Sequence, residues 1–486
     1  MHHRSSLIMT IALLASAIIS CDENPASPSE TVPASIDAAS PVEQLAVAGT
    51  AVVDLPSVLV SDAEGNAAVG VPVIFAITEG NGTLTGASTT TDAGGRATVG
   101  GWTTGATPGT NTLKATVADL PQLSFHATTV KSGTAFKTVL TGTDFSCGVT
   151  VSRAGYCWGN GAYGSLGAGK TPTLTDRPVP ISGGVIFQML DLNFRRACGL
   201  NEKGLAFCWG YTRQIGTAGT ETIMEPSPVG GELRFTQIAT GEDHACGLTD
   251  AGKAFCWGSN ASGQLGDGTA IDHSDPVAVT GGLTFKTLAS GYAHTCGLAV
   301  SGGAYCWGDN GSGQIGDGSS VQRLSPVAVS GGLQFQSISG GLGYTCAIAL
   351  NGAAYCWGRN DGPGNLGDGT TAAKSTPTAV VGGLTFNLIA AGARSTCGLA
   401  IDGSAYCWGS NAQGKLGDGT IVDRLVPAPA ASALKFRTIA TSATHTCGVA
   451  LTFETYCWGD NFDGALGNGT NTNPRANPNP VAVLTP

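Results

Sequence analysis

The sequence predicts an all-β chain, a β-sandwich followed by a seven-bladed β-propeller, on three observations. Glycine supplies 73 of 486 residues while only 12% are charged, a balance that favours tight turns between short strands over long solvated helices. Cys-Trp-Gly recurs seven times, at Cys157, Cys208, Cys256, Cys306, Cys356, Cys407 and Cys457, with gaps of 51, 48, 50, 50, 51 and 50 residues. Each is preceded ten positions earlier by another cysteine: Cys147, Cys198, Cys246, Cys296, Cys346, Cys397 and Cys447. Fourteen of the fifteen cysteines obey this rule, and Cys21 stands apart.

The N-terminus reads as an export signal over residues 1–20. Arg4 and two histidines precede an apolar run from Leu7 to Ile19, which is too short to be a stable membrane span. "IISC" then ends in Cys21 and resembles the bacterial lipobox, in which the cysteine becomes diacylated and then N-terminal. Ile18 departs from the usual leucine of that pattern, and a cut after Ala15-Ser16-Ala17 would leave Cys21 a free thiol. The expected address is a bacterial membrane, on its periplasmic or cell-surface face, with the lipid on Cys21 as anchor. Residues 21–40 lack apolar periodicity and are expected to form a disordered tether. Outside the cytoplasm disulfides persist, which favours bridges for the fourteen paired cysteines.

Residues 41–131 hold no cysteine and alternate short β-type runs with Gly, Asp and Asn turns, about seven strands in all, as in a β-sandwich. The segment Asp62 to Asn111, with "GVPVIF", "TTDAGGRAT" and "GTNTL", resembles the bacterial immunoglobulin-like domains of invasin-type surface proteins. The resemblance implies a spacer, sometimes an adhesive tip, and Trp102 is read as core.

From 136 to 486 each unit offers four strand-like runs, P-V-A-V, L-x-F-x-x-I, T-C-x-x-A and A-Y-C-W-G. A period near fifty with four short strands marks a propeller blade, because one small sheet cannot bury both faces without neighbours. Opposed residues of an antiparallel pair have a constant sum of positions. Cys296 with Cys306 therefore centres a hairpin loop on Val300, Ser301 and Gly302, with glycine in the left-handed place. Counting outward sets the two cysteines opposite each other, with Cα atoms about 4.5 Å apart. Zinc would need four converging ligands where a hairpin supplies two, and a redox role would need an exposed thiol in an electropositive setting. The orphan strand Val481-Ala482-Val483 is expected to complete the first blade and shut the ring.

The stretches "GYAHTCGL" (Gly291 to Leu298) and "AYCWGDNGSGQIGDGS" (Ala304 to Ser319) resemble regulator of chromosome condensation repeats, in seven copies over residues 136 to 486. That resemblance implies a seven-bladed propeller. The eukaryotic founder is a chromatin-bound exchange factor for a nuclear GTPase, partners that an exported chain of net charge −10 is not expected to meet, whereas exported relatives include an inhibitory protein that holds a folded protein on one propeller face. Without a basic cluster beyond Arg195 and Arg196, nucleic acid is not an expected partner.

Among candidate sites, the seven tryptophans are read as packing between blades, and His244, His294 and His445 at one repeated position as structural. "DNGSGQIGDG" is read as tight turns without the bidentate glutamate of a calcium loop. No metal and no cofactor is expected. The segments after G-D-G-T differ in every unit, "PTLTDR", "AIDHSD", "SVQRLS", "TAAKST" and "IVDRLV", and recognition is expected where loops vary on a rigid ring. Binding candidates are Tyr211, Arg213, Glu221 and Met224 of the aberrant second unit, with Asp272, His273, Arg323, Asp423 and Arg424. The expected function is a non-catalytic envelope protein that presents rim loops to a protein or glycan. The alternatives are a hydrolase or lyase of an envelope polymer and a purely structural surface protein.

Overall fold

The structure is a computed structural model that describes residues 32–130, 135–170, 173–211, 222–229, 231–430, 434–471 and 476–485. Cys21 and the export segment lie outside the described residues. Among the described residues every element apart from two single 3-10 turns is a strand, and no helix is long and apolar enough to cross a membrane.

The N-terminal unit is built from two facing sheets. One has the order Ser35–Ala38, Ser57–Ser61, Arg96–Thr98. The other runs Glu43–Val47, Leu123–Val130, Gly109–Thr116, Pro72–Glu79, Ser88–Thr90, and a two-stranded ribbon pairs Thr83–Thr85 with Gly101–Thr103. Period-two alternation turns Val58, Val60, Val73, Phe75, Leu113 and Phe125 into one core with Trp102, while Ile74, between two inward residues, faces water. Two expectations change. There are ten strands rather than seven, because glycine-rich turns cut the stretch from Thr83 to Thr103 into four three-residue pieces. The folded unit also begins inside the presumed tether: Ser35–Ala38 pairs antiparallel with Ser57–Ser61, Ile36 opposite Val60.

Residues 136–482 form seven four-stranded antiparallel sheets, each in chain order. In the fourth, the strands are Phe285–Ser290, His294–Ala299, Ala304–Gly308 and Arg323–Ala328. The repeat was thus cut in the wrong phase. The P-V strand is the last of its own sheet, and Ala476–Ala482 completes the seventh sheet, Val481 opposite Cys457, rather than the first. The first sheet already has its fourth strand, Leu174–Pro180. The seventh sheet instead meets the first through side chains: Phe136, Val139 and Trp158 pack with Cys447, Val449 and Leu466. Every other seam repeats this arrangement, as where Cys296, Leu298 and Ile315 meet Phe335, Ile338 and Trp357.

The hairpin register is as read. Cys296 opposes Cys306, the Ala299 amide donates to Gly303, and Gly302 sits at φ 92°. In the first and seventh sheets Arg153 and Phe453 adopt the same left-handed conformation, at φ 66° and 69°. All seven pairs have Cα atoms 4.0–4.1 Å apart, closer than expected, with sulfurs at bonding distance and essentially no solvent exposure.

Tryptophan locks each seam. The Trp357 indole Nε1–H donates to the Gln314 carbonyl of the preceding sheet at 2.9 Å, and Trp158 reaches back to Ala465 of the seventh sheet at the same distance. Gly316 makes room for it: a Cβ there would stand 2.5 Å from the indole nitrogen, and φ is 78°. For Trp257 the residue at the same interval, 214, lies outside the described residues.

Candidate functional site

The first strands of all seven sheets surround one central channel of about 510 Å³. Its mouth is uneven. Phe194, Tyr292 and Leu342 wall one side, where Thr143, Ala393 and Ala443 occupy the equivalent places. Inside, Asp191 stands where the other sheets carry Leu140, Ala239, Ala289, Ser339, Ala390 and Ala440. Burial pushes its carboxyl up to about 6, against the backbone amide and hydroxyl of Thr240, which both donate to Oδ2 at 2.6 Å. The sequence reading missed Asp191. Its only signal was an acid at one repeat position that is otherwise small or apolar.

The repeated histidine position serves the seams. His244, His294 and His445 donate or accept through Nε2 with Thr295, Thr345 and Ser146 of the next sheet, at 2.8, 2.9 and 2.7 Å. At the same place the Tyr344 hydroxyl donates to the Ser395 carbonyl, and Arg196 Nη2 donates to the carbonyls of Gly241 and His244. Among the described residues no three His, Cys, Asp or Glu side chains are grouped to hold a metal ion. In the calcium-like stretch, Asp309 accepts from the Gly311 amide and from Gln314 Nε2, the hydrogen bonds of a turn.

The rim charges are tied into their own loops. Asn411, fully buried, donates to Asp418 and accepts the Leu416 amide, while Asp418 accepts from the Thr420 amide at 3.0 Å and from Arg424 Nε at 2.7 Å. Arg323 meets Asp317 in the same way, Lys374 meets Asp368, and His273 lies 3.3 Å from Asp267. A cation six residues after the acid therefore neutralises it in three sheets, and the His273 imidazole takes that place in a fourth. In the seventh sheet Asn468 replaces the acid, and Pro474 stands six residues on. Asp272 and Asp423 accept the backbone amides of Asn260 and Asn411. These five candidates are fasteners of their own loops, and His273, Arg323 and Arg424 open the fourth strands. Burial pushes the Asp418 carboxyl up, but hydrogen bonds from Thr420, Arg424 and Asn411 outweigh it and hold it below the usual range. Arg424→Ala is expected to cost at most about 1 kcal/mol, since the Arg424 side chain is 35% exposed. Asn411→Ala, which orphans a buried amide and a carboxylate bond, is expected to cost about 3 kcal/mol. Urea unfolding of the two variants reads the difference.

The fastener is missing from the first sheet, where Gly161 replaces the asparagine and Ala168 the aspartate. Aromatic side chains come to the surface there. Tyr163 is 42% exposed and Tyr211, in the second sheet, 38%, their rings 5.5 Å apart and at 83°. The Arg195 guanidinium lies over Tyr163 at 4.8 Å and over Phe194 at 5.5 Å, and Phe194 meets the edge of Tyr292 at 6.5 Å. Both Tyr163 and Phe194 hold left-handed backbone, at φ 64° and 47°, a strain that recurs at binding sites. Met224 is exposed beside this strip, in Ile223–Pro228, whose backbone packs against Gly164. Of the four second-unit candidates the structure thus gathers Tyr211 and Met224, while Arg213 and Glu221 lie outside the described residues. Tyr163, Phe194, Arg195 and Tyr292 went unread because their proximity crosses three sheets.

Family models for the regulator of chromosome condensation (RCC1) repeat match residues 251–298, 301–348 and 402–449, and in a second form 235–264, 285–314 and 387–415. The repeat region is an RCC-type repeat propeller. Human WBSCR16 superposes on it with TM-score 0.59 and 18% identity, over 67% of this chain and 88% of that one. Prp20p from Saccharomyces cerevisiae gives 0.60 and 19%, over 72% and 87%. Yeast RCC1 (Prp20) from its complex with Kap60 gives 0.61 and 19%, over 72% and 85%. At such identities these likenesses concern the fold. No curated protein sequence is similar enough to count as a relative.

Proposed function

We propose that this chain is an exported, lipid-anchored interaction protein. Cys21 carries the lipid, an immunoglobulin-like sandwich acts as spacer, and a seven-bladed propeller with a disulfide in every hairpin presents one face to a protein or glycan of the cell envelope. The observation that carries this reading is the asymmetry of the ring. Among the described residues five sheets fasten their rim loops internally, the first sheet lacks the fastener, and Tyr163, Tyr211 and Met224 are exposed beside Arg195. Exposed aromatic residues with arginine have the composition of interface hot spots. The solved neighbours lend support to a protein partner: Prp20p is described with its binding to Gsp1p and histones, and in a complex with Kap60.

One cellular experiment tests both parts. A photo-cross-linking residue at position 163 or 211 is expected to give a discrete adduct in intact cells, at least tenfold weaker when the other tyrosine is alanine. The same residue at exposed Asp402 is expected to give none. Cys21→Ser is expected to move the protein out of the membrane fraction. Equal adducts at all three positions, or none, would end the interaction reading, and a membrane-bound Cys21→Ser protein would end the anchor.

A further inference from the structure

The strip at the channel mouth also carries a more specific role, one that rests on the interaction function proposed above. Arg153, Arg177, Arg323, Arg359 and Arg424 each meet a carboxylate within 3.3 Å. Arg195 is fixed differently. Its guanidinium is held against the rings of Tyr163 and Phe194, and among the described residues it has no ion-pair partner. The nearby Glu242 carboxylate accepts the Tyr292 hydroxyl, and burial together with that bond pushes the Tyr292 phenol up. A stacked guanidinium keeps its planar N–H fork free in the plane of the group, and that fork matches the two oxygens of a carboxylate.

We propose that Arg195, clamped between Tyr163 and Phe194, is a carboxylate receptor, and that a protein partner docks by setting an aspartate or glutamate side chain into its fork. Charge complementarity points to that occupant, because on a chain of net charge −10 this is a cation that meets no carboxylate among the described residues. The ring geometry favours a polypeptide over a glycan. Successive rings stand at 83° and 89°, so they offer edges and walls for side chains rather than a flat run for stacked sugars. The side chains around the fork, Tyr163, Phe194, Tyr211 and Tyr292, would exclude water from the ion pair and strengthen it.

The test uses a phage-displayed peptide library selected on the full chain under non-reducing conditions. Selected peptides are expected to share an acidic residue, and changing it to the amide should weaken binding at least tenfold. Arg195→Gln should weaken the same peptides at least tenfold, with no further loss when both changes are combined. Arg195→Lys, which keeps the charge and loses the fork, should fall between. Peptides without a common acid, peptides that bind Arg195→Gln as well as the parent, or failure to select any peptide would overturn the receptor. If adducts at positions 163 and 211 persist in such a case, the interaction reading survives and the carboxylate receptor alone falls.

Discussion

Moving the protein from pH 7 to pH 4.5 is expected to remove roughly 5 kcal/mol of stability, the balance of a larger loss at three histidines and a smaller gain at one aspartate. Burial holds the His244 and His445 imidazoles down to about 3 and His294 down to about 4. Arg196 and His294 add to the effect at His244, Lys415 adds to it at His445, and Asp309 opposes it at His294. A group whose folded pKa lies below its unfolded value contributes stability that is fully present above the unfolded value. That stability is lost as pH falls from about 6.5 toward 3 to 4, so each imidazole loses about 2.7 kcal/mol by pH 4.5, near 8 for the three.

Asp191 works in the opposite sense. Its carboxyl is raised to about 6, so the folded state gains on acidification between pH 6 and 4, by at most about 3 kcal/mol, less where channel water screens the group. The histidines win. The rim aspartates are held below the usual carboxylate range and add their losses only below about pH 4, outside this window. Urea unfolding at the two pH values is the measurement. A triple His→Gln variant should flatten the dependence, and Asp191→Asn should steepen it. Equal or greater stability at pH 4.5 would show that the three rings are not buried neutral in the seams.

Loss of the seven cysteine bridges is expected to have the other large effect. Closing a ten-residue separation is worth about 3 kcal/mol in the chain-entropy model, with a range of about 0 to 5. Seven such terms exceed the 5–15 kcal/mol typical of a whole domain, so the fully reduced propeller is expected not to refold. The sulfurs are buried against the next sheet, as Cys296 and Cys306 are against Phe335 and Trp357. Reductant alone should therefore act slowly on the native ring, and fast once urea opens the seams. A single Cys296→Ser/Cys306→Ser variant should lose about 3 kcal/mol in urea unfolding. A fully reduced protein that keeps the parent's unfolding midpoint would contradict this.

Arithmetic along the chain made part of the fold legible. A constant sum of positions set the register of Cys296 with Cys306 and placed Gly302 in the left-handed turn. Trp102 was read as core, and it is fully buried. A circular repeat, however, has no marked beginning, so the P-V strand was placed ahead of its unit instead of at its end, and Val481 was sent to the wrong sheet. Arg323 and Arg424 looked available because they sit in the variable segments. Their acids lie six residues earlier in a repeated motif, and only the folded loop brings the two together. The strip of Tyr211, Tyr163, Arg195, Phe194 and Tyr292 was beyond such reading, since its contacts join the first, second and fourth sheets. Its trace in the sequence was negative: Gly161 and Ala168 stand where the fastening asparagine and aspartate are elsewhere.

The stapled ring on which the presenting face depends is tested most directly by mapping the sulfur linkages of protein taken from its own cells, with thiols blocked before lysis and the chain digested without reduction. The account predicts seven linkages, each joining cysteines ten residues apart, as in Cys296 with Cys306, and no blocked thiol from residue 147 onward. Blocked thiols within these hairpins, or bridges that join different ones, would contradict both the stapled ring and the exported address.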